Sequence, residues 1–316
     1  MNIAVASNQN FAKYLYVMLT SLLENNSDSG MVCNIYLLSA DFNDEQIDSI
    51  KNLIEKYNQN FHFIRIEKSM FPKDLPFSEK ITIETYFRLA LPDLLPKELD
   101  RILYLDVDLI VNQPLQELYE MDFEGKYFIA CHDMTAIAVQ YVASSQLFAE
   151  LREHPDFHYF NAGVLLFNLE KLREINSFQL VMAQASDKKD YLRFHDQDLL
   201  NYTFWKNIKY VDTKKFNLIA RATFNMGYHY PWAKEHSVII HYAGSKPWDH
   251  QCVRYDLEKF WWDYAKMTPY YIELLESIVL SEINTGYMDY LFRDLKREND
   301  ELRQIVDRCM CLLQQK

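Results

Sequence analysis

The sequence predicts an α/β protein built around a mostly parallel mixed sheet. Short apolar runs at 3–6, 32–38 and 61–66 have the length and composition of buried strands. Between them, 11–23 and 43–57 repeat apolar residues at helical spacing. Strands that alternate with helices are typical of βαβ units, in which successive strands run in parallel. Ligands of such sheets bind beyond the carboxyl ends of the strands, so the residues that follow each strand carry the functional prediction.

Length and composition are sufficient for one large domain with an appendage. The chain has 316 residues, 49% of them hydrophobic, and includes 22 Tyr and 20 Phe. This supply of apolar side chains can fill a large core, which argues against disorder. We expect an α/β domain over 1–250 and a helical extension over 251–316.

Charge and cysteine usage exclude several classes of protein. The formal net charge of −12, with no long basic stripe, argues against a nucleic-acid partner. The five cysteines are scattered and odd in number, as in a reduced cytoplasmic protein. No apolar run approaches the ~18 residues of a transmembrane segment, and the start of the chain lacks a signal peptide's basic residues. Peripheral contact with the inner face of the plasma membrane stays open.

The run from Arg101 to Val111 carries the strongest chemical signal. Its sequence, Arg-Ile-Leu-Tyr-Leu-Asp-Val-Asp-Leu-Ile-Val, predicts a buried strand that is interrupted by Asp106 and Asp108. Residues i and i+2 of a strand share one face, roughly 6.5 Å apart, so the two carboxylates are expected to reach one divalent cation. Buried ionised carboxylates need a metal, a basic side chain or access to water. A strand that ends at the surface with two solvated acids is the alternative.

Polar residues flank other predicted elements near the same edge. Asn8 and Asn10 follow the first strand, and Asn10 is also the expected N-cap of the first helix. Arg88 lies on a helix that begins at Ile81 and leads into the central strand, and it is either a surface charge or a partner of the acids. Further along, the pattern predicts a strand over 128–131, a weakly helical insertion over 133–157 and a helix over 169–185.

The second half of the chain adds more candidates. Asn161 enters a buried strand over 160–168, and His241 ends the run that begins at Val238. Lys246 follows five residues later. Asp196 opens an apolar helix, where an ordinary N-cap explains it equally well, and a histidine at a strand end is often structural.

The C-terminal part changes character. Residues 256–285 indicate aromatic-rich helices, broken at Pro269 and Gly286. Within 287–312 a heptad seam follows, formed by Met288, Leu291, Leu295, Leu302, Ile305, Cys309 and Leu312. A self-association helix and a helix that lies on the main domain explain this seam equally well. Its flanks mix both charge signs, which disfavours an anionic-membrane anchor.

Six motifs occur in a recognisable order. They are Ala6-Ser-Asn8-Gln-Asn10-Phe11, Ile81-Thr-Ile-Glu-Thr-Tyr-Phe-Arg88-Leu89, Leu103-Tyr-Leu-Asp106-Val-Asp108, Tyr159-Phe-Asn161-Ala-Gly163-Val-Leu-Leu166, Asp196-Gln-Asp198-Leu-Leu-Asn201 and His241-Tyr-Ala-Gly244-Ser-Lys246-Pro-Trp248. The set resembles the retaining glycosyltransferases of family 8, which include bacterial lipopolysaccharide α-galactosyltransferases. The resemblance covers 1–250 and not 256–316. It implies the GT-A fold, a Rossmann-like nucleotide-sugar-binding catalytic domain, with the helical extension appended.

The resemblance also implies a metal and diphosphate site. Asp106, Asp108 and His241 would bind Mn2+, which bridges the diphosphate of a UDP-sugar. Two carboxylates and an imidazole suit Mn2+ better than Mg2+, which prefers oxygen ligands. Lys246 and the backbone near Gly244 would hold the diphosphate.

The uridine and hexose contacts follow from the same resemblance. The uridine pocket would be formed by Ala6, Asn8, Asn10 and Phe11, and Val107 would contact the ribose through its backbone. Asn8 departs from the family pattern, which often has Asp there. The hexose hydroxyls would contact Arg88, Asn161, Asp196 and Gln197.

The implied reaction is a Mn2+-dependent transfer of a hexose, with retention, from UDP-hexose to a glycan acceptor of the bacterial cell surface, a glycoprotein or lipopolysaccharide glycan. Galactose is favoured, and UDP-glucose is the alternative donor. The catalytic candidates are Gln197, Asp196 and Asp198. An amide is a poor nucleophile, so we favour front-face attack by the acceptor, and Asp198 is the carboxylate that a covalent route would use.

Two other classes compete with this interpretation. Haloacid-dehalogenase-like phosphatases also place Asp-X-Asp after an apolar strand, but they require Thr or Val where this chain has Ile110. A catalytically silent nucleotide-sugar-binding scaffold would bind UDP without turnover.

Overall fold

The structure is a computed structural model that describes residues 1–27, 30–77, 82–249 and 254–285, together with 293, 296 and 297. The chain divides into two compact units. The first comprises Met1–Lys246 with Tyr255–Thr268, and the second Pro247–Arg254 with Pro269–Lys316. The boundary expected at residue 250 stays a prediction.

The strands form two sheets. They are β1 Asn2–Ala6, β2 Asn34–Ser39, β3 Asn60–Arg65, β4 Arg101–Leu105, β5 Leu109–Val111, β6 Phe128–His132, β7 Phe160–Asn168, β8 Ile208–Tyr210, β9 Leu218–Ile219 and β10 Ile239–His241. The larger sheet has the order β3-β2-β1-β4-β7-β6-β8, and the smaller one β5-β10-β9. In the larger sheet β7 runs antiparallel to β4 and β6, and the other neighbours are parallel. The predicted mostly parallel mixed sheet is confirmed.

The described part of the chain forms thirteen α-helices. They are α1 Ala12–Asn26, α2 Asp44–Lys56, α3 Leu91–Leu94, α4 Gln116–Tyr119, α5 Ala136–Ser144, α6 Leu169–Glu174, α7 Ser177–Lys188, α8 Asp196–Phe204, α9 Thr213–Phe216, α10 Ala220–Asn225, α11 Tyr230–His236, α12 Glu258–Ala265 and α13 Tyr271–Thr285. Short 3-10 helices precede some of them, including Gln9–Phe11 before α1 and Ile83–Ala90 before α3.

Alternation along the strands builds a core on both faces of the larger sheet. Ile3 and Val5 of β1 belong to the cluster that includes α1 and α2. Ala4 and Ala6 belong to the opposite cluster, which includes the 3-10 helix Ile83–Ala90, α7 and α8. Because side chains of a strand alternate between faces, an apolar residue at every position is buried on one side or the other.

The central run is not a single strand, and this part of the prediction was wrong. β4 ends at Leu105 in the larger sheet, and β5 begins at Leu109 in the smaller one. The segment between them holds Asp106 and Asp108, and its backbone bonds to both sheets: the Asp106 amide donates to the Gly163 carbonyl at 2.8 Å, and the Asp108 carbonyl accepts from the Tyr242 amide at 2.9 Å. The apolar run continues across the break because both strands are buried, which conceals the change of sheet.

Three helix predictions also differ from the structure. The helix expected over 169–185 is two helices, separated where Asn176 adopts the left-handed conformation with φ +49°. The element that begins near Ile81 is a 3-10 helix in its described part. Asn10 is not the cap of the first helix: the N-cap position of α1 is Phe11, which has no side-chain cap bond. Asn8 instead caps the preceding 3-10 helix, where it accepts from the Asn10 amide at 3.1 Å.

The predicted C-terminal heptad seam and the absence of a membrane-spanning segment were both expected from the sequence. The heptad seam predicted within 287–312 lies outside the described residues apart from 293, 296 and 297, so self-association through it stays a prediction. Among the described residues, we find no helix with both the length and the apolar character needed to span a membrane.

Arg173 fixes the loop that leads into β4 and so supports the segment that carries the acids. Its guanidinium donates to five backbone carbonyls, those of Pro92, Leu95, Pro96, Lys97 and Leu99, at 2.7–3.2 Å. The forked geometry of arginine allows this, whereas a lysine ammonium has three donors on one atom.

We therefore expect Arg173→Lys to lower the free energy of unfolding by about 1–3 kcal/mol, because several carbonyls lose their donor. Urea denaturation measures this change. The matched control is Arg152→Lys, at an exposed arginine whose guanidinium donates to the Ser145 carbonyl at 3.1 Å. Equal losses in the two variants would contradict the assignment.

Candidate active site

The directions of the strands bring the candidate site residues to one edge of the larger sheet. β1, β4 and β6 run the same way, so the residues after each of them, Asn8, Asp106 and Asp133, lie at one edge of the larger sheet. β7 runs the opposite way, which brings its first residues, including Asn161, to that edge. β10 of the smaller sheet ends there with His241, whose ring approaches both acids.

Asp106, Asp108 and His241 form a cluster with the composition of a metal site. One ligand atom from each lies within 4.8 Å of the others. The Nε2 atom of His241 is 3.3 Å from Asp108 Oδ1 and 4.0 Å from Asp106 Oδ2. Two carboxylate oxygens and one imidazole nitrogen therefore converge, as the sequence predicted, although the acids lie in a link between sheets and not on one strand.

The orientation of His241 is set by a chain of amide side chains. Its Nδ1 atom is 2.9 Å from Asn217 Oδ1, and Asn217 Nδ2 donates to Asn161 Oδ1 at 3.0 Å. Because an amide oxygen only accepts, Nδ1 carries a hydrogen and donates it to Asn217, which turns Nε2 toward the acids. Such outer partners are typical of histidines that bind metals.

Gly163 leaves the room in which these groups meet. A Cβ atom at this position would lie 2.4 Å from His241 Cε1 and 2.7 Å from Asp106 Oδ2. Both distances are shorter than a van der Waals contact, so any larger residue would displace the imidazole or the carboxylate. Glycine at this position therefore permits the close approach of these two side chains.

Arg88 forms an ion pair with Asp106, the first of the two acids. It is buried, with Nη2 at 2.9 Å from Asp106 Oδ1 and Nε at 3.0 Å from Asp196 Oδ2, and its guanidinium packs 4.3 Å from the Tyr104 ring. Burial disfavours its charge, but Asp106 and Asp196 outweigh that effect and raise the pKa of Arg88. Of the two roles left open for Arg88, the partner of the acids is the one observed.

Lys246 neutralises the other acid. Its Nζ atom donates to Asp108 Oδ2 and to the Tyr242 carbonyl. Burial would raise the pKa of the Asp108 carboxyl, yet Lys246 and His241 hold it well below its usual range. Asp108 is therefore ionised at neutral pH.

Gln197 is held in one orientation. Its Oε1 accepts from the Ala162 amide at 2.9 Å and from Asn161 Nδ2 at 3.3 Å, while its Nε2 donates to Asp133 Oδ2 at 3.1 Å. Asp133 was missed by the sequence analysis, which placed it in an insertion. The available signal was its position directly after β6, whose carboxyl end lies at the same edge as that of β4.

The two acids of α8 occupy different surroundings. Asp196 is paired with Arg88 and is 3% exposed. The N-cap position of α8 is His195, so the alternative that Asp196 is an ordinary N-cap was wrong. Asp198 is fully buried and accepts from the Tyr141 and Tyr159 hydroxyls and from the amides of Arg193 and Phe194. Four donors on one carboxylate favour a structural role.

The residues expected around uridine lie at the end of β1. Ala6 and Asn8 are nearly buried, Phe11 is half-buried and contacts the Tyr14 ring edge-on at 5.4 Å, and Asn10 is exposed. Asn8 donates through Nδ2 to Glu84 Oε2 at 3.2 Å. Two other predicted contacts are also located: Val107 is 8% exposed between the acids, and Gly244 is exposed in the left-handed conformation with φ +97°.

A mixed, mostly parallel sheet that gathers two acids, an imidazole and a lysine at one edge is the arrangement of GT-A-type glycosyltransferases. The model of glycosyl transferase family 8 matches residues 2–252. The chain therefore belongs to glycosyl transferase family 8.

Individual relatives agree with this assignment. The chain is 30% identical over 261 residues to a lipopolysaccharide 1,2-glucosyltransferase of Escherichia coli, covering 78% of this chain and 73% of the relative. It is 27% identical to a lipopolysaccharide 1,3-galactosyltransferase of Salmonella typhimurium, covering 78% and 72%. The structure of the galactosyltransferase LgtC in complex with donor and acceptor sugar analogues superposes with a TM-score of 0.67 at 25% identity, covering 85% of this chain and 96% of LgtC.

Asp196 should give the protein a measurable pH dependence. Burial raises the pKa of this carboxyl to about 6, against the opposing effect of Arg88. The unfolded-state pKa is ~3.9, so between these values the native chain holds a proton that the unfolded chain has released. The stability contributed by this group is present at low pH and is lost as the pH rises through about 6.

We therefore expect the stability of the wild-type protein, relative to Asp196→Asn, to fall by about 1 kcal/mol between pH 5 and pH 7.5. Urea denaturation of both proteins at each pH gives the difference. Parallel pH profiles for the two proteins would show that Asp196 does not titrate in this range.

Proposed function

We propose that the protein is a Mn2+-dependent retaining glycosyltransferase that moves a hexose from UDP-hexose to a hydroxyl of a bacterial cell-surface glycan. The observation that carries the proposal is the convergence of Asp106, Asp108 and His241, with Lys246 beside them. Relatives named as lipopolysaccharide glucosyl- and galactosyltransferases support the class of acceptor. The reaction belongs at the inner face of the plasma membrane, where such an acceptor would be met.

The residues present fit a divalent cation such as Mn2+. Asp106 and Asp108 would supply oxygen ligands and His241 its Nε2 atom, since the contact of Nδ1 with Asn217 already turns Nε2 toward the acids. A mixed oxygen and nitrogen set favours Mn2+ over Mg2+. When bound, the cation supplies charge stabilisation for the departing diphosphate.

Lys246 has a second task in this proposal. In the free protein it contacts Asp108, and it lies next to Gly244, whose exposed backbone can approach a ligand closely. With a cation held by Asp108, the Lys246 ammonium group would be available to contact the diphosphate of the donor. Its positive charge would then stabilise the negative charge that develops on UDP as the anomeric C–O bond breaks.

The hexose would contact the polar network beside the acids. Arg88, Asn161 and Asp196 are held there by ion pairs and hydrogen bonds, which fixes their positions before the donor binds. Such preorganisation lowers the cost of orienting the sugar. Galactose is the favoured donor sugar, as in LgtC, and glucose is the alternative, favoured by the name of the Escherichia coli relative.

Retention is best explained by front-face attack. The Gln197 Oε1 atom accepts from the Ala162 amide, and the Asp198 oxygens accept from four donors. A group whose lone pairs are engaged in this way is a weak nucleophile. The acceptor hydroxyl would therefore attack from the side of the leaving diphosphate, whose oxygen takes its proton.

Turnover of a panel of UDP-hexoses tests the proposal. With Mn2+ and a simple glycoside acceptor we expect transfer of one hexose, galactose before glucose, with an α-linked product by NMR and no activity in EDTA. Asp108→Asn should lower the rate at least about 100-fold, because a metal ligand is lost. Asp100→Asn is the matched control, at an exposed acid directly before β4, and should keep the wild-type rate.

Two outcomes would overturn the proposal. UDP binding without transfer or hydrolysis of any donor would favour the silent scaffold. Transfer at the wild-type rate by Asp108→Asn would remove the metal site from the reaction.

A further inference from the structure

Glu84 is a buried carboxylate that the proposed reaction leaves without a role. It lies in the first turn of the 3-10 helix Ile83–Ala90 and is 7% exposed. Its Oε2 atom accepts a hydrogen bond from Nδ2 of Asn8, a residue 76 positions earlier in the chain. Burying a carboxylate is costly unless its partners compensate. The hydrogen bond from Asn8 provides such compensation and links Glu84 to the end of β1.

The contact with Glu84 fixes the orientation of the Asn8 side-chain amide. At its other end, Asn8 Oδ1 accepts from the Asn10 amide at 3.1 Å, where the 3-10 helix Gln9–Phe11 begins. A flipped amide would place its NH2 group against the Asn10 N–H and its oxygen against the Glu84 carboxylate. Both contacts would then be repulsive, so the two partners enforce the same orientation.

The fixed amide has a consequence for a pyrimidine base. An amide oxygen has two lone pairs, and Asn10 uses one, so Asn8 can accept one further hydrogen bond. Uracil presents a donor at N3, whereas cytosine presents an acceptor there. An asparagine whose amide can rotate could pair with either base. An asparagine whose amide oxygen is held toward the base can pair only with the N3 donor of uracil.

We propose that Glu84 is a positioning residue that selects uracil over cytosine by holding Asn8 with its amide oxygen toward the base. The inference rests on the proposed function, since it assumes that a UDP-sugar binds beside Asn8. It explains how asparagine can serve at a position where an aspartate would accept from N3 in any orientation. It also assigns two tasks to one 3-10 helix, with Glu84 directed to the nucleoside and Arg88 to the acids.

Calorimetric titration of UDP and CDP in the presence of Mn2+ tests the proposal. The quantity measured is the ratio of the two dissociation constants. We expect the wild-type protein to prefer UDP, and Glu84→Ala to reduce that preference at least about tenfold, because Asn8 then keeps only its contact with Asn10 and its flipped orientation no longer meets a carboxylate. Glu84→Gln is isosteric and should also reduce the preference, since the new amide can pair with Asn8 in either orientation.

A paired exchange separates positioning from simple structural support. Asn8→Asp alone places two carboxylates together and should weaken UDP binding. Asn8→Asp combined with Glu84→Gln restores a donor–acceptor pair and should restore the UDP preference to within about threefold of wild type. A purely structural role for Glu84 would lower the thermal unfolding temperature of its variants without changing the ratio.

The outcomes distinguish this inference from the proposed function. If the wild-type protein prefers UDP and both Glu84 variants keep that preference, Glu84 has no positioning role and only the inference fails. If the wild-type protein binds neither UDP nor CDP, the proposed function fails and takes the inference with it.

Discussion

Compensation of partly buried charge is the constraint on which the site depends. Asp106 and Asp108 lie in a short link between two sheets, where ionised carboxylates are costly unless opposite charges stand close by. Arg88 reaches Asp106 from a 3-10 helix, and Lys246 reaches Asp108 from the segment after β10. Each acid therefore has its own basic side chain as a partner, and the imidazole of His241 lies near both acids. In the proposed reaction a divalent cation would replace part of this compensation.

The polar network around the acids gives the site its rigidity. Asn161 is its centre, since its Oδ1 atom accepts from the Gly163 amide and from Asn217, and its Nδ2 atom lies 3.3 Å from both Asp133 and Gln197. The network joins β7, α8 and the end of β6 to the histidine of the smaller sheet. Because each member is fixed by its neighbours, displacing one side chain disturbs several hydrogen bonds.

The sequence allowed the sheet class and the edge of the site to be predicted, because strand periodicity and the rule of parallel carboxyl ends are local and general. It also allowed the acid pair and His241 to be named. It did not reveal the change of sheet at Asp106, because both flanking strands are equally apolar. Glu84 and Asp133 were missed for a related reason. Their side chains contact residues that are distant in the chain, and a local sequence pattern does not record such contacts.

Binding of Mn2+ to the isolated protein tests the central claim most directly. Calorimetry or electron paramagnetic resonance should detect one ion per wild-type chain, and Gly163→Ala should weaken that binding at least about tenfold without unfolding the protein. The reason is steric, since the added methyl group meets His241 and Asp106 at 2.4 and 2.7 Å. Equal Mn2+ affinity in the two proteins would contradict a metal site formed by these residues.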